Sequence, residues 1–329
     1  MSKRLLDLQL LQMFVVTAEE RSMSAAAQRL GTTQSAISQG VRKLEEQLGV
    51  VLFNRQHRPL SLTPPAQALL NRGRALLADS AQIRSEVLEA ESGIAPEVTI
   101  GLVDSFAATC GPSFIKRMLG QTVRLAVRTG LTPHQREQFL ARELDIVVTT
   151  DPFESLERKV NRRLFSESFI VLNHRQSRAQ LYSRDALHEL AAASPLIRFN
   201  AQSHLGQQVE ALVRSLGLRA ARRLEVDTAD TQVAMVAAGL GWAITTPSCL
   251  VQGQQHAGGV SVGALHGVRG GRSVYVVGRE GEHDKLFRSC FDAALHAVHH
   301  TLVPAWRAVA PQAGPCIEAA EPAEPAEPD

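Results

Sequence analysis

Between residues 97 and 303, short β-branched runs recur with helical periods between most of them. The runs are Val98–Leu102, Val123–Val127, Asp145–Thr149, Phe169–Leu172, Leu196–Phe199, Leu224–Val226, Ala243–Thr246 and Val274–Val277. A strand followed by a helix and another strand makes a crossover, so this region reads as α/β with mainly parallel sheets. In such sheets ligands sit outside the carboxyl ends of the strands. That rule points to Asp104, Ser105 and Phe106, to Arg128 and Thr129, to Arg198 and Asn200, and to Thr245 and Thr246. Each Ser or Thr at a strand end either touches ligand or only caps the next helix. Arg198 ends an apolar stretch and suits bidentate carboxylate binding, unless it pairs with an acid such as Asp227. Asp104 at the same edge disfavours a pure anion and suits an amino group, a hydroxyl or a neutral ligand.

The first 63 residues follow a different rule. Leu5, Leu8, Leu11 and the run Phe14–Val16 have the spacing of a first helix, and Ser24–Leu30 that of a second, stopped by Gly31. Thr33 is placed to cap a third, Gln34 to Leu48, stopped by Gly49. Its stripe is Ile37, Val41, Leu44 and Leu48, while Gln34, Ser35, Ser38, Gln39 and Arg42 fall away from it. Val51–Phe53 and Leu60–Leu62 then flank a basic hairpin tip carrying Arg55 and Arg58. Helix, glycine turn, helix and hairpin make a winged helix-turn-helix, whose second helix lies in the major groove. Gln can pair with adenine and small Ser lets the backbone approach, while Arg42, Arg55 and Arg58 suit phosphates. The competing reading of that face is an ordinary solvated helix surface. Gly40 costs about 1 kcal/mol in a helix; lying beside Gln39, it reads as part of the polar half, where a missing side chain relaxes the fit or admits a base contact.

From Pro64 to Glu91, apolar and small residues recur at steps of three and four, which gives a long helix with a coiled-coil-like seam broken by Gly73 and Ser80. Such a helix calls for a partner, most simply its own copy. The last nineteen residues hold five acids and no Lys or Arg, so the net charge of +2 becomes +7 over the rest. A mildly basic body permits a polyanionic partner. The Glu-Pro-Ala repeats of the tail have too little to bury and read as disordered from residue 304 onward.

Other classes are disfavoured. Neither a transmembrane run nor a convincing signal peptide is present, so a cytoplasmic protein with no membrane partner is expected. Cys110, Cys249, Cys290 and Cys316 are far apart and read as reduced and structural, and His296, His299 and His300 as a solvated helix face, so no metal is expected. No G-x-S-x-G, H-E-x-x-H, P-loop or dinucleotide fingerprint occurs, and Gly239-Leu-Gly241 lacks the third glycine. The expectation is a protein that is not an enzyme and needs no cofactor. A secreted solute-binding protein would share the α/β lobes but has no use for the N-terminal module.

The specific residues narrow this further. Phe14, Ser24-x-Ala26-Ala27-x-x-Leu30, Gln34-Ser35-Ala36-Ile37-Ser38-x-x-Val41-x-x-Leu44-Glu45-x-x-Leu48-Gly49-x-x-Leu52-Phe53-x-Arg55 and Leu62-Thr63 resemble the LysR-type transcriptional regulators. The likeness extends to about residue 303, with Ile100-Gly101, Leu144–Val148 and Val236–Ile244 as further cues. Two departures stand out: Gln39 where the family usually has a basic residue, and Gln67 near the position of the glycine after the wing. The resemblance implies a DNA-binding domain at 1–63, a linker and dimerisation helix at 64–91, and an effector domain at 92–303 similar to periplasmic binding proteins. Lobe one of that domain is expected at 97–164 and 269–303, and lobe two at 165–268. It implies promoter DNA, RNA polymerase, a small effector between the lobes and a second or fourth copy of the chain as partners. Thr33 joins the implied DNA contacts, and the family together with the arginines points to an organic acid as effector, an amphoteric compound being second.

Overall fold

The computed structural model describes residues 5–54, 59–92, 95–177, 181–220 and 224–321. Backbone contacts divide the chain into two compact units, residues 1–91 with 140–143, and the remainder.

In the first unit, α1 is Leu8–Glu20, α2 Met23–Arg29, α3 Gln34–Leu48 and α4 Pro64–Ser92. The caps are local. Asp7 Oδ1 accepts from Gln9 N, Ser22 Oγ from Ala25 N and Thr33 Oγ1 from Ala36 N. Gly49 closes α3 at φ 69°, where a Cβ would be strained. β1 (Phe53–Asn54) and β2 (Ser61–Leu62) form the antiparallel pair Phe53↔Leu62 and Asn54↔Ser61. Arg55 and Arg58, at the expected tip, lie outside the described residues. Leu11, Phe14, Ile37, Val41, Leu44, Phe53 and Ala66 make the core.

Two glycines in this unit are contact points on α1. A Cβ on Gly40 would sit 2.3 Å from Met13 Sδ, and one on Gly73 would sit 2.9 Å from Leu11 Cδ1. Gly40 is therefore buried against α1 and belongs to the apolar half of α3, three residues past Ile37 on the same face. The reading that placed it beside Gln39 on the DNA-facing half is corrected. Leu48, expected in the stripe, is 37% exposed. Gly73 likewise is a packing position rather than a flaw in a seam.

The second unit is built on two mixed sheets. In chain order the elements are β3 (Ala95–Val103), α5 (Asp104–Thr109), α6 (Gly111–Met118), β4 (Thr122–Gly130), α7 (Thr132–Leu140), β5 (Ile146–Thr149), β6 (Lys159–Ser168), β7 (Ile170–His174) and β8 (Leu181–Tyr182). There follow α8 (Arg184–Ala193), β9 (Ile197–Phe199), α9 (His204–Leu216), β10 (Leu224–Val226), α10 (Ala229–Ala237), β11 (Ala243–Thr245) and α11 (Pro247–Gln252). The chain ends with β12 (Val260–Leu265), β13 (Gly271–Arg279), α12 (Asp284–Ala297), α13 (Val303–Val309) and β14 (Ile317–Ala319).

Lobe one is the six-stranded sheet β14-β6-β13-β5-β3-β4. Lobe two combines β11-β7-β12-β8 with the pair β10-β9, joined through the parallel bridge Leu196↔Trp242. β6 runs into β7 and β12 into β13, so two strands cross between the lobes. The crossing is tight: Phe169 N donates to Gly270 O, and a Cβ on Gly271 would meet Glu167 O at 2.2 Å. The first crossing thus falls at Phe169, four residues beyond the expected start of lobe two. Mainly parallel sheets were expected, but β6, β7, β13 and β14 all pair antiparallel, so both sheets are mixed. β6 gives little local signal, because KVNRRLFSES carries charge on both faces, the buried Glu167 included, and only Leu164 and Phe165 in succession look like core.

The chain beyond residue 303 also departs from expectation. α13 buries Trp306, whose Nε1 donates to Gly314 O, and β14 adds an edge strand to β6 with Ile317↔Glu167 and Glu318↔Ser166. Disorder from residue 304 is therefore wrong through Ala320; one large aromatic and a strand's hydrogen bonds anchor a segment whose composition looked too polar to fold. Cys110, Cys249 and Cys290 are buried free thiols, and burial pushes Cys110 up to about 12.

Candidate functional site

Two surfaces collect the residues singled out from sequence. On the first unit, Thr33, Gln34, Ser35, Gln39 and Arg42 are exposed along α3 and Ser38 is half-buried. Gln34 Oε1 accepts from Ser24 Oγ at 3.2 Å, which orients the amide from the neighbouring helix. Arg29 and Arg74 are engaged by Glu19 and Glu20, whereas Arg42 has no ion-pair partner among the described residues. α3 is thus rigidly held by its buried face and presents small polar groups and a cation outward.

The second surface is the cleft between the two lobes. From lobe one come Asp104, Ser105, Thr132 and Thr150; from lobe two Ser203, His204, Asp227, Thr228 and Cys249; from a crossing strand Arg272. The space it leaves for a ligand is small, about 50 Å³. Thr150 Oγ1 lies 2.9 Å from Thr132 Oγ1 and 2.8 Å from His204 Nδ1, so a hydroxyl–imidazole chain bridges the lobes. Burial lowers the His204 pKa, which keeps the ring neutral near pH 7. Burial raises the Asp104 carboxyl above its usual range.

Under this cleft lies a closed polar cluster. Arg272 Nε donates to Glu167 Oε1 at 2.7 Å, and its Nη2 donates to Ser105 and Ser248 hydroxyls at 2.8 Å each. Glu167 also accepts from Ser248 N and Oγ, both at 2.8 Å. Arg272 and Glu167 stand on the two crossing strands, Ser105 on lobe one and Ser248 on lobe two. In a buried pair this fully hydrogen-bonded, the opposite charges and the hydrogen bonds offset much of the desolvation both groups pay. It leaves Arg272 little charge to offer a ligand.

Of the expected ligand residues, only Asp104 and Ser105 line the cleft. Phe106 packs edge-on against Phe114 in the core of lobe one, ring centroids 5.8 Å apart. Arg128 and Thr129 are exposed on β4, the sheet edge. Arg198 is buried, paired with Glu210 and donating to Ala220 O, so the acid it meets is not Asp227. Asn200 instead donates to Asp227 Oδ1 at 2.8 Å. Thr245 and Thr246 are fully buried, and neither lines the cleft. The other polar residues of the cleft sit just beyond the strand ends that were singled out. Thr150 follows β5, and Ser203 and Thr228 cap α9 and α10 just after β9 and β10. Glu167 and Arg272 gave no signal, because pairing between strands a hundred residues apart is not local information.

The model of the "Bacterial regulatory helix-turn-helix protein, lysR family" matches residues 8–67, and that of the "LysR substrate binding domain" matches residues 91–298. The chain belongs to the LysR family. Among curated LysR-family relatives, the HTH-type transcriptional regulator DgdR of Burkholderia cepacia is 31% identical over 162 residues, 49% of this chain and 54% of DgdR. YofA of Bacillus subtilis is 28% identical over 252 residues, 75% of this chain and 83% of YofA. The chain spans about half the length of DgdR and of other curated relatives it matches. A full-length cysteine variant of OxyR from Pseudomonas aeruginosa superimposes with a TM-score of 0.66 at 22% identity, covering 88% of this chain and 97% of that one. Full-length CbnR complexed with its target DNA gives 0.61 at 18% identity, covering 89% of this chain and all of CbnR. At these identities the likeness is one of fold. Both matched segments of this LysR-family chain end short of β14.

Proposed function

We propose that this LysR-family chain is a sequence-specific DNA-binding transcriptional regulator, working as a homodimer or homotetramer on promoter DNA and answering to a small effector held between its lobes. The observation that carries the DNA reading is the outward face of α3: Gln34, Ser35 and Gln39 exposed on a helix whose opposite face is locked by Ile37, Gly40, Val41 and Leu44. Such a helix approaches base edges closely, with Arg42 on phosphate. Self-association is supported by α4, where Leu76, Ile83 and Val87 stay 42–64% exposed along one stripe. RNA polymerase follows as a partner from the regulator reading. The test is selection of bound sequences from random DNA by the purified protein. A shared motif is expected; recovery of unrelated sequences defeats the DNA reading.

For the effector, the organic-acid reading loses Arg198 and keeps only the N-terminal amides of α9 and α10, which suit a carboxylate. Asp104 and Asp227 beside them favour the second reading, an amphoteric compound whose amino group meets a carboxyl of the cleft. Thermal unfolding of the whole protein with matched amino acids, plain acids and amines distinguishes them. Amino acids are expected to raise the midpoint where plain acids do not, and Asp104→Asn to abolish that rise. Plain acids acting equally well would restore the organic-acid reading.

A further inference from the structure

Behind the crossing strands lies a second, open cavity of about 550 Å³, against about 50 Å³ for the front cleft. That volume is in the range of small-molecule pockets. A polar row crosses it on three neighbouring strands: exposed Glu318 on the edge strand β14 opposite Ser166 on β6, and Ser166 opposite Ser273 on β13. The two serine hydroxyls are hydrogen-bonded at 2.7 Å. One wall is α9, which contributes His204 and Gln208. The Gln208 Oε1 is shielded from solvent and has no hydrogen-bond partner. An unsatisfied buried acceptor is costly, and a donor that reaches it is rewarded. The front cleft shares Thr150, His204 and Arg272 with this cavity, but Glu318, Ser166, Ser273 and Gln208 belong to the rear alone.

The electrostatics select the ligand. Glu318 brings a carboxylate, Gln208 a bare acceptor and the serines hydroxyls. The guanidinium of Arg272 is answered by Glu167, and His204 is kept neutral by burial. The described lining thus offers acceptors and negative charge and no unneutralised cation. We propose that this cavity is a second ligand site for a small protonated aliphatic amine, its ammonium on Glu318 and a further donor on Gln208. β14, which supplies the carboxylate, lies beyond the matched family segments, so the site is particular to chains that carry this C-terminal strand.

The experiment is calorimetric titration of the full-length protein with 1,4-diaminobutane and ethanolamine, against butane-1,4-diol and succinate as neutral and anionic counterparts. Either amine is expected to bind saturably, with the diol and succinate weaker by about tenfold or more, the scale of a charged hydrogen bond. Glu318→Gln and, separately, Gln208→Ala should each weaken the amine by about tenfold, while Asp104→Asn in the front cleft leaves it unchanged. Thermal unfolding without ligand checks that each variant is folded, and Gln208→Ala carries the test if Glu318→Gln loosens β14. The proposal is overturned if neither amine binds, if succinate or the diol binds as tightly, or if Asp104→Asn and not the rear variants abolishes binding.

Discussion

The outward face of α3 and the interior of the lobe crossing are both polar, yet they solve opposite problems. On α3 the polar groups stay in water on a helix fixed from behind, and their hydrogen-bonding capacity is largely unspent. At the crossing, Glu167, Arg272, Ser105 and Ser248 are buried and satisfy one another almost completely. The first arrangement is what recognition of an external partner needs. The second fixes the geometry of two lobes and offers little to a ligand. The same contrast runs through the cleft: Asp104 is half-buried with no side-chain hydrogen bond among the described residues, whereas the guanidinium of Arg272 is fully engaged.

The contrast is broken most directly at the crossing. Glu167→Leu leaves Arg272 buried and uncompensated and should lower unfolding free energy by about 3–5 kcal/mol, measured by urea denaturation. The double change Glu167→Leu/Arg272→Met should recover much of that loss; no recovery would mean the network is held by something other than its charges. On the α3 side, Gly40→Leu forces a side chain into Met13 and should cost about 1–3 kcal/mol. Gly40→Ala asks only for a shift of the Met13 sulfur and gains helix propensity, so stability and sequence preference should both stay close to the parent; a changed preference would return Gly40 to the DNA face. Gln34→Ala should leave stability alone and reduce discrimination between target and random DNA by about 1–3 kcal/mol, whereas Arg42→Ala should weaken both alike and lower the salt slope by about one. An unchanged target-to-random ratio for Gln34→Ala would remove its direct-readout role.

The smallest effect sharpens the comparison by pH. His204 has a folded pKa below its ordinary value of 6.5, so its contribution is present above that pH and is lost as pH falls through the folded value. Lowering the pH from 7 toward 5 should lower the unfolding midpoint by a margin that His204→Asn reduces. Asp104 runs the other way: with its pKa raised, the ionised form costs stability at neutral pH, so Asp104→Asn should raise the midpoint at pH 7 and not at pH 3.

The N-terminal module was legible because its information is local. Thr33, Gly49 and the spacing of Ile37, Val41 and Leu44 fix a helix within one stretch of chain, and a helix turns the remaining residues outward by geometry alone. Where the reading failed, a distant residue decided. Gly40 faces Met13, Arg198 finds Glu210, and β6 is held as a strand by β13 more than a hundred residues later. The lining of the cleft was half legible: strand ends pointed to Asp104 and Ser105, while the caps after β9 and β10 needed the strands to be located first.

By itself, then, the sequence determined the helix-turn-helix, the long helix α4, the α/β character of the larger unit and the family. These follow from periodicity, caps and a dense local motif. Tertiary structure alone decided which polar residues face the cleft, that Glu167 and Arg272 neutralise each other, and that Glu318 returns to the crossing strands as the edge of a second cavity. A side chain's charge is written in the sequence, but whether that charge is available depends on what is brought within about 4 Å of it, and chain folding sets that distance.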